Sequence, residues 1–286
     1  MKKGKNKELL AMITMIGPIG FWMILFVAIP LIYVFAISFM KKGTYGGIEL
    51  AFTLSNYTEI LNPLYLQIFI GSIITAGIST IACLAIGYPF AYFIARKSQI
   101  KKNFLLMLVM LPFLTNSLIR MYGWIILLKG EGIINKILVS LHIISEPIQL
   151  IYTNFAVMLG LIYCLLPFMI LPLYSSIEKL DMSLLEAASD LGAKSTKTFL
   201  NITLPLTMPG IFAGSILVFI PALGLFFIAD LLGGSKVMLI GNLIRNQFLT
   251  ARNWPFGAAL SMTLILITLI LVAGYKKAGG SMDDLV

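Results

Sequence analysis

The stretch 186-EAASDLGAKSTKTFLNITLP-205 decides how this chain is read. It is polar and charged, yet it lies between two long apolar runs. Outward from it, the 286 residues are 59% hydrophobic and only 12% charged, with a mean hydropathy of +0.97. A soluble domain carries roughly 25% charged residues to coat its surface. This chain lacks them, so much of its surface must meet lipid.

Six apolar runs, at about 11–39, 66–95, 104–128, 152–176, 206–232 and 256–275, are rich in Leu, Ile, Phe and Met. Each reaches the roughly 20 residues needed to cross a hydrocarbon core. Backbone groups in lipid must bond internally, so the runs predict helices. The dyad alternation of a membrane β-barrel is absent. Lys2, Lys3, Lys5 and Lys7 precede the first run, but it is too long for a signal-peptide core and no small-residue cleavage site follows. It reads as a retained span. The expected fold class is an all-α membrane protein with six transmembrane helices. The organisation is a tail at 1–10, one six-span domain at 11–275 and a tail at 276–286.

Lysine and arginine set the orientation. The two tails, the loop 96-RKSQIKK-102 and the opening stretch with Lys179 hold thirteen, against seven in the alternate loops; Arg120 lies inside the third run. Both tails and the opening stretch are therefore expected to face the cytoplasm of a bacterial inner membrane. The net charge of +9 reads as topology and lipid anchoring rather than nucleic-acid binding.

Catalytic equipment is missing. His142 has no second base or ligand near it, and HExxH, GxSxG and CxxC do not occur. Cys83 and Cys164 fall inside predicted spans and imply neither a disulfide nor a metal site. The string 192-GAKST-196 imitates the end of a phosphate-binding loop, but Ala193 separates the glycine from the lysine and position 187 is alanine. The chain is expected to be no enzyme, to hold no metal and to bind no ATP itself.

Ser183 to Phe199 reads as a short amphipathic helix. Leu184, Leu185, Ala188, Leu191 and Phe199 recur near helical spacing, opposite Glu186, Asp190, Lys194 and Lys197. Asp181 or Ser183 would cap it, with Glu186 in capping-box position after Ser183. Gly192 would give a bend or a close approach, and Leu204-Pro205 would end the local helix.

At fixed spacing the chain carries Glu186-Ala187-Ala188, then Gly192, then Ile202 and Leu204-Pro205. This resembles the EAA loop (EAA-x3-G-x9-I-x-LP) of the permeases of binding-protein-dependent ABC importers, and every fixed position is filled. The resemblance implies a type I permease fold with a coupling helix between spans four and five, in a loop at about 181–205. It also implies that this helix lies in a cleft of a separate ATP-hydrolysing subunit. ATP and Mg would belong to that subunit dimer. The other implied partners are a second permease and an extracytoplasmic binding protein. Within the family, 112-PFLTNSLIRMYGW-124, 166-LPFMILPLYSSIEKLD-181, 227-FIADLLGG-234 and 252-RNWPFG-257 look like spermidine/putrescine importers, which implies polyamine uptake.

Among the twelve acids, Asp230 alone lies within or at the end of an apolar run. Intramembrane carboxylates are functional candidates by default. Beside Phe226 and Phe227 it would suit a passing ammonium, with Tyr122 and Trp124 as aromatic walls and Asn116 offering a carbonyl. A membrane-interface position for Asp230 is the plainer reading. Arg120 would repel a polycation unless neutralised or turned away. Gly210 and Gly214 form a G-x-x-x-G pair, a close-packing signal that could also mark a partner interface. The rival functions are a permease for iron, an opine or an anion, and an ion-coupled secondary transporter. The latter would need internal repeats and paired charges within the spans, which are not seen.

Overall fold

The computed structural model describes residues 14 and 16–277. Reading along the chain, helix α1 (Ile16–Ser38) leads into a hairpin of β1 (Met40–Lys42) and β2 (Ile48–Phe52), then α2 (Ser55–Ile60). The long α3 (Pro63–Ala95) is followed by α4 (Gln99–Met110), α5 (Ser117–Leu128) and α6 (Ile133–Ser140). Then come α7 (Asn154–Glu178), α8 (Met182–Asp190) and α9 (Ser195–Gly224). Finally α10 (Ile240–Leu249) and α11 (Trp254–Lys277) complete the described chain. The expected tail at 1–10 lies outside the described residues, as does the expected tail at 276–286 from residue 278 onward.

Helices α1, α3, α7, α9 and α11 are each long and apolar enough to cross a membrane, and a bent pair of helices passes the same test only when taken together, which makes six if the pair is one span. That pair corrects the third run, which is not one straight helix. Gln99–Leu114 and Ser117–Ser140 meet at 88°. Pro112 lies in a 3₁₀ turn at Leu111–Leu114, Thr115 is extended, and Asn116 Oδ1 accepts the Leu118 N–H at 2.9 Å to start the next helix. A proline without an N–H, then a side-chain cap, ends one helix and begins another within five residues.

Two more prolines behave differently. Pro30 and Pro205 each follow a five-residue π turn, at Ile24–Ala28 and Phe199–Thr203. In both, the residue before the proline donates five residues back: Ile29 N–H to Ile24 O, and Leu204 N–H to Phe199 O. The wider turn makes room for the ring, which in a regular helix would strike the carbonyl four residues earlier. The expectation that Leu204-Pro205 ends the local helix is therefore corrected. Ser195–Gly224 is one helix of 30 residues.

The chain divides into two compact units, 1–62 with 244–266 and 63–243 with 267–286. In the first, Asn56 is buried and its Nδ2 donates to Ser38 O at 2.9 Å and Met40 O at 2.8 Å, tying the end of α1 to the hairpin. The hairpin tip is held by Gly47 N–H donating to Arg252 O at 2.9 Å.

In the second unit α7 is the central post. Val157, Leu161, Leu165, Met169 and Leu173 on it are at most 2% exposed. Glycine lets its neighbours approach. A Cβ on Gly210 of α9 would stand 2.5 Å from Ser176 Cβ and 2.7 Å from Pro172 O, both on α7. One on Gly214 would meet Met169 Sδ at 2.8 Å. The G-x-x-x-G pair thus packs within the chain, as small residues do where membrane helices must touch. On the α3 side, Gly87 faces Met169 and Ile170. Tyr88 and Thr207 share a hydroxyl hydrogen bond of 2.9 Å between α3 and α9.

Candidate functional site

The polar stretch folds as a helix, a sharp reversal and the root of a span. Asp181 begins α8, its Oδ1 accepting the Ser183 N–H at 2.9 Å. Of the two expected caps it is the one used, and Ser183–Glu186 forms no capping box. The Ser183 backbone and hydroxyl hold the Asp181 carboxyl below the usual aspartate range. Helix α8 does not run to Phe199. It ends at Asp190, because Gly192 adopts φ +77°. Gly192 N–H donates to Ser189 O at 2.8 Å and Ala193 N–H to Ala188 O at 3.0 Å. This pair of bonds is a Schellman cap, which favours glycine at its left-handed position.

The seven patterned positions divide into an exposed tip and a root. Glu186, Ala187 and Gly192 are exposed at the tip, while Ala188 is buried beneath them. Around them Met182, Leu184 and Leu191 are 47%, 45% and 89% exposed. Such apolar exposure on a polar projection is a candidate contact surface. Among the described residues, nothing beyond its two chain neighbours lies within 4 Å of where a Gly192 Cβ would be. At the root, Ile202 lies in the π turn and Leu204 and Pro205 open the α-helical part of α9. Phe199, in the same π turn, meets the Tyr88 ring edge-on at 5.6 Å.

Behind the loop lies a cavity of about 680 Å³ between α7, α8 and α9, where Ser176, Lys179, Asp181 and Leu184 face Pro209 and Gly210. Beside it, Lys102 Nζ pairs with Glu178 Oε1 at 2.9 Å, and Tyr174 also hydrogen-bonds Glu178. These contacts join the ends of α4 and α7 where the loop departs.

The candidate substrate-path residues fall into two groups. Asp230, expected within or at the outer end of the run 206–232, lies past the end of the helix that the run forms. Helix α9 stops at Gly224, and Asp230 sits on a π turn at Ala229–Gly233. Asn242, which the sequence reading passed over, organises this region. Its Nδ2 donates to Asp230 Oδ1 at 2.6 Å and to Phe226 O at 2.9 Å, and its Oδ1 accepts Leu239 N–H at 3.2 Å. Phe226 and Phe227 meet edge to face at 6.4 Å.

On α5, Asn116 spends its carbonyl as the cap and Tyr122 is 57% exposed. Trp124 packs edge-on against Tyr163 of α7 at 5.5 Å. The same ring carries Arg120, whose Cζ lies 5.4 Å from its centroid. A guanidinium at the centre of a span costs about 2.5–3.5 kcal/mol on insertion scales. A cation–π contact returns roughly 0.5–2 kcal/mol, so the ring alone does not neutralise it. The two groups converge on Gly160 of α7, where an added Cβ would meet Leu232 Cδ1 at 2.5 Å, Ile228 Cγ2 at 2.8 Å and Met121 Sδ at 3.4 Å. The pairing of Arg120 with Tyr163, 43 positions apart in sequence, has no local signature.

Residues 87–275 match the family described as binding-protein-dependent transport system inner membrane component. The chain belongs to that family. It is 48% identical over 274 residues to the spermidine/putrescine transport system permease protein PotB of Escherichia coli (strain K12), covering 96% of this chain and 98% of that one. The PotB of Haemophilus influenzae (strain ATCC 51907 / DSM 11121 / KW20 / Rd) is 51% identical over 257 residues, 90% of each chain. Among solved structures, a bacterial ABC transporter involved in import of the acidic polysaccharide alginate aligns with TM-score 0.78 over 97% of this chain and 96% of its own, at 17% identity. That likeness speaks to the fold, the type I permease fold.

Proposed function

We propose that this chain is one of two permease subunits of an ATP-driven importer of polyamines of the spermidine/putrescine class. The observation that carries the reading is the 48% identity to a spermidine/putrescine permease across 96% of this chain. In this reading both tails and the 181–205 loop face the cytoplasm. The exposed tip around Glu186, Ala187, Leu191 and Gly192 seats in a separate ATPase subunit, which holds ATP and Mg. A second permease completes the pathway, and an extracytoplasmic binding protein delivers the substrate. Selectivity within the membrane falls to the region of Asp230, Phe226, Phe227, Tyr122 and Trp124.

Energy enters as a change in population. ATP binding favours the state in which paired ATPase subunits grip both loops, and substrate release favours the other. The chain itself supplies no reactive group; it supplies a lever and a wall.

The test is reconstitution with the ATPase, the second permease and the binding protein in vesicles, with ATP on the ATPase side. ATP-dependent accumulation of labelled spermidine is expected. ATP turnover driven by some other solute, with no polyamine accumulated, refutes the substrate.

A further inference from the structure

Arg120 poses a problem of charge that the described residues do not solve. Tyr163, against which the guanidinium lies, is three residues from the middle of α7 (Asn154–Glu178), about 4.5 Å of helix rise. The charge therefore sits near mid-span, too deep for a lipid phosphate to be its partner. Among the described residues Arg120 forms no ion pair, and its Nε is buried with no hydrogen-bond partner. Tyr163, itself packed edge-on by Trp124, covers one face of the guanidinium, yet the side chain as a whole remains partly exposed. Asp230, the acid of the turn at Ala229–Gly233, is already engaged by Asn242.

We propose that the open side of Arg120 receives a carboxylate from the second permease subunit, forming an intramembrane ion pair across the boundary between the two, with Tyr163 as its backing. The inference rests on the two-permease reading given above. A buried cation needs an anion, and a cationic substrate cannot be that anion. The ring behind the guanidinium fixes its plane, which suits the two-pronged geometry in which arginine holds a carboxylate and lysine does not. A charge pair placed there would also select the second permease over a second copy of this chain, which would bring arginine against arginine.

The experiment uses the whole importer complex, with a tag on this chain. Arg120→Gln is expected to lower recovery of the second permease at least about tenfold in detergent at fixed expression. Arg120→Lys should restore it partly, and the ATPase should remain bound to the tagged chain in every variant. Arg120→Glu should abolish uptake. Replacing the intramembrane acids of the second permease one at a time by Arg should return uptake and recovery in one pairing. Should Arg120→Gln fail to accumulate, that charge-swapped pairing decides. Unchanged recovery of the second permease overturns the proposal, and so does a scan in which no swapped acid rescues Arg120→Glu. Unchanged recovery with a new leak of inorganic cations would instead place the guanidinium on the water path. A complex that assembles through Arg120 but carries another solute would leave this inference standing and remove only the polyamine reading.

Discussion

Gly192 separates two explanations that the EAA pattern alone confounds. Its φ of +77° demands a left-handed residue, and its Cβ position is open, with nothing among the described residues beyond its chain neighbours within 4 Å. Gly192→Ala thus costs this chain only backbone strain, about 1–2 kcal/mol. Gly192→Asn costs less, since asparagine tolerates that region better than any other bulky residue. If glycine were needed only for its conformation, Asn would behave like wild type and Ala would be worse. If an ATPase subunit lies directly on the loop tip, any side chain there fills the contact, and both variants lose about 2 kcal/mol of binding, roughly 30-fold. The second outcome is expected, with Gly192→Asp abolishing association. The assay is titration of the purified ATPase against detergent-solubilised permease, with thermal unfolding of each variant run alongside. Wild-type affinity for Gly192→Asn refutes the claim that the tip is buried by a partner.

Other outcomes follow from single contacts. Gly210→Val drives a side chain into Ser176 and the Pro172 carbonyl of α7. It should destabilise the chain by about 1–3 kcal/mol in a melting experiment, and more than Gly224→Val, whose Cβ meets nothing within 4 Å. Asn242→Leu removes the donor to Asp230 Oδ1 and Phe226 O. Both it and Asp230→Asn should raise the polyamine concentration for half-maximal uptake while ATPase binding is unchanged. Asp181, whose carboxyl titrates below the usual aspartate range, stabilises α8 above that range. The contribution is lost as pH falls through the lowered value, so acid should loosen ATPase binding in the wild type and much less in Asp181→Asn.

The elements legible in the sequence are those set by composition. Five crossings and their order follow from run length, because lipid leaves the backbone no alternative to a helix. Local punctuation was harder to read. Pro112 and Pro205 have the same chemistry. One lies where the chain turns by 88° and the other inside an unbroken helix. The difference is whether a π turn absorbs the ring, and that depends on packing such as Phe199 on Tyr88, not on neighbouring residues. For Gly192 the sequence predicts a bend or a close approach, and the structure gives it a full Schellman cap. The loop positions were legible as a spaced pattern; the fixing of Asp230 by Asn242 was not, since twelve residues and a chain reversal separate them.

The unbroken α9 matters for transmission. A helix of 30 residues is about 45 Å long. It begins three residues beyond Gly192 and ends at Gly224, just before Phe226 and the turn bearing Asp230. Had Pro205 broken it, a displacement of the loop would have been absorbed at that joint. The π turn keeps the hydrogen-bonded column continuous, so α9 is built to move as one body, and the α8 reversal leads into it through Ala193 and Lys194. Along its length α9 lies close against α7 at Gly210 and Gly214, which face Ser176 and Met169. The same unit therefore joins, by a single stiff element, the surface proposed to meet the ATPase and the turn proposed to meet the substrate.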